Sequence, residues 1–75
     1  MPDYNATLKQ RLQDVVNGSE IARKAMEQAS KYWREVYSIE VPNAEKQLVP
    51  SSLMQALEEY ANRLGFLEAA ISSRL

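Results

Sequence analysis

Few residues in this chain carry side chains of the kinds that catalyse reactions or bind metals. Histidine and cysteine are absent, which removes the commonest general base, the thiol nucleophile and the usual zinc ligands. Glu58 and Glu59 are adjacent carboxylates, but neighbouring helix positions point about 100° apart and do not converge on one proton or metal ion. The serines have no catalytic partner at a recognisable spacing, and Ser19, Ser51 and Ser52 are better explained as helix caps. We therefore predict a non-enzymatic protein without a cofactor, a metal site or a small-molecule substrate.

Basic residues on the first half of the chain bear on DNA binding. The segment 19–25 resembles the first helix of helix-turn-helix DNA-binding proteins, and the basic residues that would support DNA contact are Arg23, Lys24, Lys31 and Arg34. Acidic residues are interleaved with them, and the formal net charge is −1, whereas nucleic-acid modules usually concentrate Lys and Arg on one face. A DNA-associated helical regulatory protein is therefore the alternative function, and not the leading one.

Length and hydropathy predict a single small domain, residues 1–75, in the cytoplasm. No apolar run approaches the roughly 20 residues of a membrane span. Residues 1–5 have neither the basic region nor the apolar core of a signal peptide, and the lack of cysteine fits a reducing compartment. A core of this size rarely supplies more than about 3 to 5 kcal/mol of stability without reinforcement. Regular helix packing and association with another chain are the reinforcements that remain.

Two apolar stripes predict two amphipathic helices. Their members recur at spacings of three and four, which places them on one helix face. The first helix is expected from about residue 5 to 38 and the second from 51 to 74, with a loop over 39–50. The first stripe comprises Leu8, Leu12, Val15, Ala22, Met26, Ala29, Trp33 and Val36, and the second comprises Leu53, Leu57, Tyr60, Leu64, Leu67 and Ile71.

The main alternative concerns Gly18. Glycine after Asn17 is a common way to end a helix, and Ser19 would then cap a new one, which gives a three-helix bundle. Against this, the three-and-four spacing continues from Val15 across Ser19 to Ala22, which has no reason to occur if the chain reverses. We therefore favour one continuous helix and an antiparallel helical hairpin, in which Gly18 costs roughly 1 kcal/mol.

The connection between the helices contains apolar residues. Pro42 and Pro50 bracket most of it and favour extended geometry in the preceding residue. The apolar residues Ile39, Val41, Leu48 and Val49 predict that the loop packs across the end of the hairpin.

The two predicted helices differ in length, which predicts a surface that needs a partner. The first would be roughly 50 Å long and the second roughly 36 Å, so the first turns of the long helix would have nothing to pack against. Soluble monomers seldom leave such apolar patches exposed. Aromatic residues near the loop are either a core anchor or an exposed binding hot spot. The residues predicted to bind a partner are Leu8, Leu12, Val15, Val16, Tyr32, Trp33 and Tyr37.

These observations favour a protein–protein interaction module. We expect a small helical adaptor, chaperone or inhibitor that forms a homodimer or binds a helix of a partner protein through its apolar stripe. Two antiparallel hairpins that pair through their stripes would give a four-helix bundle.

Overall fold

The computed structural model describes residues 2–44 and 50–75, and within these ranges the chain is an antiparallel helical hairpin without strands. Helix α1 spans Tyr4–Tyr32. A π-helical turn, Trp33–Tyr37, and a short α-helical turn, α2, Ser38–Glu40, continue it without a break. Helix α3 spans Ser51–Ser72. The predicted hairpin is confirmed, and the long helix extends two residues beyond its predicted end.

Helix α1 begins at a side-chain cap and passes straight through Gly18. The Ala6 amide donates a hydrogen bond to Oδ1 of Asp3 at 3.0 Å, which satisfies one of the amides that a helix start leaves unpaired. Gly18 does not adopt positive φ, and the helix continues on both sides of it. The three-helix alternative, which required a turn at Gly18, is therefore wrong.

The loop end of the hairpin holds the main apolar cluster. Trp33, Ala44 and Met54 are buried together, with Tyr37 and Leu57 packed against them. The Trp33 and Tyr37 rings lie 6.1 Å apart at their centroids. The π-helical turn is closed by the Ser38 amide donating to the Trp33 carbonyl, and both rings belong to the cluster that contains Met54 and Leu57 of α3. Trp33 is therefore part of the core at this end.

The loop itself is only partly as predicted. Ile39 belongs to the last helical turn and is exposed, so the expectation that it packs across the hairpin end is wrong. Ala44 fills that role instead, after a turn in which Asn43 adopts a positive φ of 55°, a conformation that Asn tolerates better than most residues. Leu48 and Val49 lie outside the described residues.

One face of α3 packs against α1, and six of its residues are buried or half-buried there. They are Met54, Ala61 and Glu68, which are buried, and Leu57, Leu64 and Ile71, which are half-buried. The two helices form the long dimension of a molecule that measures 63 × 17 × 15 Å. Among the described residues, no helix combines the length and hydropathy that a membrane span needs.

Replacing Gly18 with alanine is expected to stabilise the protein. A Cβ at this position has no heavy atom within 4 Å, and alanine is favoured over glycine inside a helix by about 0.8–1 kcal/mol. We expect Gly18→Ala to raise the free energy of unfolding by about that amount, measured by urea denaturation followed by circular dichroism at one protein concentration.

Gly65→Ala is the control for the increase in unfolding free energy expected from Gly18→Ala. A Cβ at Gly65 would lie 3.8 Å from Cδ of Arg23, an ordinary contact, in a helix that is uninterrupted on both sides. The two substitutions are expected to stabilise by similar amounts. A loss of stability in Gly18→Ala alone would mean that the backbone turns at Gly18.

Candidate interaction surface

The face of α1 that contacts α3 is unusually polar. It consists of two lines of residues at seven-residue intervals, which lie side by side on the helix. Ser19 and Ser30 are buried, Arg23 is half-buried, and apolar side chains alternate with them. The lines comprise Leu12, Ser19, Met26 and Trp33, and Val16, Arg23 and Ser30.

Glu68 is the acidic centre of this contact. Glu68 is only 8% exposed, and its carboxylate accepts a hydrogen bond from Oγ of Ser19 at 2.9 Å. Nε of Arg23 donates to both of its oxygens, at 3.0 and 3.2 Å. The Arg23 hydrogen bond is the main reason that the pKa of Glu68 lies below its usual value, and Ser19 adds to it. The buried charge is therefore both paired and hydrogen-bonded, as burial requires.

A second polar cluster of the same kind lies nearer the loop. Ser30, only 2% exposed, donates to Oε1 of Glu58. Arg34 pairs with the same carboxylate and donates to Oγ of Ser30 at 3.0 Å. Each cluster thus joins a serine of α1, and the arginine one turn later along the same continuous helix, to a glutamate of α3. Among the described residues, no buried side-chain nitrogen or oxygen lacks a hydrogen-bond partner.

These ion pairs mark one side of the hairpin, which we call the polar side. Arg34 and Glu58 meet there, and Arg23 also pairs with Glu27 at 3.3 Å along the edge of α1. A shallow groove on this side is lined by Arg23, Glu27, Ala61, Asn62, Gly65, Phe66 and Ala69. Several charged groups of this side are thus paired within the hairpin, and a second groove here is lined by Glu27, Ser30, Lys31, Arg34, Glu35 and Glu58.

The other side of the hairpin, which we call the apolar side, is uncharged along most of its length. The edges of α1 and α3 that face away from Arg34 and Glu58 share this side, because the two helices pack antiparallel and Arg34 meets Glu58 on the opposite one. Leu8 and Tyr60 are each 57% exposed here. The apolar side comprises Leu8, Val15, Ala22 and Ala29 on α1, and Leu53, Tyr60 and Leu67 on α3.

The apolar side accounts for a second line of residues in each of the two predicted stripes. In each stripe, one line of residues faces the other helix and a second line lies about 60° further round, on the apolar side. Trp33 and Leu57 belong to the first line, whereas Val15 and Leu67 belong to the second. Half of the residues in the two predicted stripes therefore lie on the apolar side and not in the contact between the helices.

The residues predicted to bind a partner divide between these two environments. Leu8, Val15 and Tyr32 are exposed, whereas Leu12 and Tyr37 are half-buried within the hairpin. The expectation that Val16 lacks a partner in its own chain is wrong, since Val16 is only 4% exposed. The contact between Ser19 and Glu68 brings the last turns of α3 level with Val16.

Sequence reasoning did not place Leu53, Tyr60 and Leu67 among the partner-binding residues, although all three are exposed on the apolar side. Their seven-residue spacing was the available signal, because it matches that of Leu8 and Val15 on α1. The stacking of Arg63 over the Tyr60 ring, 5.7 Å from its centroid, adds a cation at the edge of this surface.

No family model, curated protein or solved structure matches this chain. Its function is therefore argued from the contrast between the two sides of the hairpin.

Acidification is expected to weaken the contact between α1 and α3 through Glu68. Its pKa is lowered in the folded state, so its contribution to stability is complete above the pKa of about 4.3 that a glutamate has in an unfolded chain. That contribution is lost as the pH falls from this value through the lower folded pKa. We expect the wild-type protein to be more stable than Glu68→Gln at pH 7, with the difference shrinking towards pH 3 in urea denaturation.

Glu59→Gln is the matched control, because Glu59 is an exposed residue of the same helix. Its stability difference from the wild type is expected to stay small across the same pH range. An equal pH dependence in both variants would contradict the assignment of Glu68 as the buried acidic contact.

Proposed function

We propose that this chain is a non-enzymatic protein–protein interaction module, a small helical adaptor, chaperone or inhibitor that binds helices through its apolar side. One observation carries the proposal. Large apolar residues on both helices are exposed along one side of the hairpin, among them Leu8 and Tyr60, whereas the opposite side carries internal ion pairs together with the exposed Phe66.

The spacing of the exposed residues favours a helix as the bound element. Leu53, Tyr60 and Leu67 recur every seven residues, as do Leu8 and Val15. Such lines pack against another helix by inserting side chains between its side chains. Contiguous apolar surface of this kind on a soluble protein marks an interaction site.

The polar residues of the hairpin support a binding role over catalysis. Glu58 and Glu68 are each paired with an arginine and a serine of α1. The contacts of Glu68 lower its pKa and favour its charged form, which makes it a poor general acid. In both clusters the contacts leave the carboxylate oxygens little freedom to bind a metal.

The alternative, a DNA-associated regulatory protein, loses part of its support. Of the four basic residues on which it depended, Arg23 and Arg34 form ion pairs with glutamates of α3. Lys24 and Lys31 remain exposed, but two lysines among interleaved acidic residues make a small positive patch. Partner binding through the apolar side accounts for more of the described surface.

Site-specific photocrosslinking in living cells tests the proposal. A photoreactive phenylalanine analogue is placed at Tyr60 on the apolar side or, as the matched control, at Phe66. Both are exposed aromatic residues of α3, and Phe66 lines the groove of the polar side. We expect discrete protein adducts from position 60, identified by mass spectrometry, and none of comparable yield from position 66.

Adducts to any protein, including a second copy of the chain, support the proposal when they depend on position 60. Adducts that form equally at both positions, or only at position 66, would contradict it. So would the absence of adducts from position 60.

A further inference from the structure

We propose that the apolar side is covered by a second copy of this chain, packed face to face with its loop at the opposite end, so that two hairpins form an antiparallel four-helix bundle. This inference rests on the proposed function, since it names the partner that the apolar side binds. Three properties of the described residues support this occupant: the area of the apolar side, the lengths of the helices and the size of the side chains.

The area of the apolar side is sufficient for a stable dimer. The molecule is 63 Å long and 17 Å wide, so one side presents an area of about 1,000 Å². Stable interfaces commonly bury about 800 Å² on each partner. A second hairpin offers a surface of the same length and width, whereas a single short peptide helix would cover only part of it.

Because the two helices differ in length, the orientation of the second copy decides whether the first turns of α1 are covered. Glu68 contacts Ser19, and α3 ends only four residues later, at Ser72, so the first turns of α1 extend past it with Tyr4 and Leu8 exposed. If both loops lay at the same end, each α1 would face the partner's α3 and these turns would stay uncovered. With the loops at opposite ends, α1 runs antiparallel to the partner's α1 and covers them.

The middle of α1 is suited to such a crossing. Gly18, Ala22, Ala25 and Ala29 follow one another at spacings of four and three, on or beside the apolar side. Small residues let two helices approach closely, since the distance between packed helices depends on the side chains at the contact. A two-fold axis between Ala22 and Ala25 therefore places small residues against small residues.

The same axis pairs larger apolar residues nearer the ends. Counting equal distances from the axis, Val15 lies level with the partner's Tyr32, and both are exposed in the single hairpin. The arrangement thus joins apolar residues with apolar residues.

Spin-label distances on the purified protein test the arrangement. The chain has no cysteine, so Gln10→Cys introduces a single labelling site at an exposed residue that bonds only to Asp14 in the same helix. In the proposed dimer the two labels lie 27 residues apart along the bundle axis, which corresponds to about 40 Å or more. Sedimentation equilibrium is expected to show two copies per particle. A label separation below about 30 Å would mean that both loops lie at the same end and would overturn the antiparallel arrangement.

A pair of neighbouring alanines tests which side associates. Ala70 is exposed at the edge of the apolar side, and Ala69 is exposed in the groove of the polar side. A glutamate buried without a partner is costly, so we expect Ala70→Glu to weaken dimerisation at least about tenfold. Ala69→Glu carries the same charge in the same turn of α3 and is expected to dimerise like the wild type.

Besides a short label separation, three outcomes would overturn the inference: a well-folded monomer at high concentration, equal effects of the two alanine variants, or no effect of Ala70→Glu. A monomer would leave the proposed function standing if the crosslinks from Tyr60 reach a different protein. If position 60 gives no crosslinks while the purified protein dimerises through another surface, the proposed function fails as well.

Discussion

The buried carboxylate of Glu68 is the constraint on which the rest of the hairpin depends. A charge in this position is tolerated only where donors reach it, and Ser19 and Arg23 supply them. Any slip of α3 along α1 would separate these groups and leave a buried charge without a partner. The contact therefore fixes the register of the two helices, and Ser30, Arg34 and Glu58 repeat the same requirement nearer the loop.

Placing polar groups between the helices displaces apolar residues from that contact. The lines of α1 that face α3 include Ser19, Arg23 and Ser30. The middle of the apolar stripe therefore does not face α3 but lies nearer the apolar side. On α3 the same displacement leaves Tyr60 and Leu67 exposed. The polar clusters and the apolar side are thus two consequences of one arrangement.

Hydrophobic spacing was enough to predict the helices but not the face by which they meet. It gave two helices, and it favoured a continuous long helix because the spacing crosses Ser19. It could not show that Arg23 and Glu58 are interface residues, since a charged residue on a helix is usually solvated and its pairing depends on a residue distant in the chain. Ser19 interrupts the apolar stripe because its buried hydroxyl donates a hydrogen bond to Glu68. It is not a helix cap. The repeated Ser-x-x-x-Arg spacing was the only local sign of this contact.

The small size of the core links folding to association. The buried apolar residues described are Val16, Trp33, Ala44, Met54 and Ala61, and two of these are alanines. Most of the larger ones cluster at the loop end, so the other half of the hairpin depends on polar contacts that contribute modest net stability. A partner that buries Leu8 and Val15 would add apolar contact where the hairpin has least. Because such a partner binds the folded hairpin, its binding also stabilises the fold, and for this chain a surface that binds helices serves stability and function together.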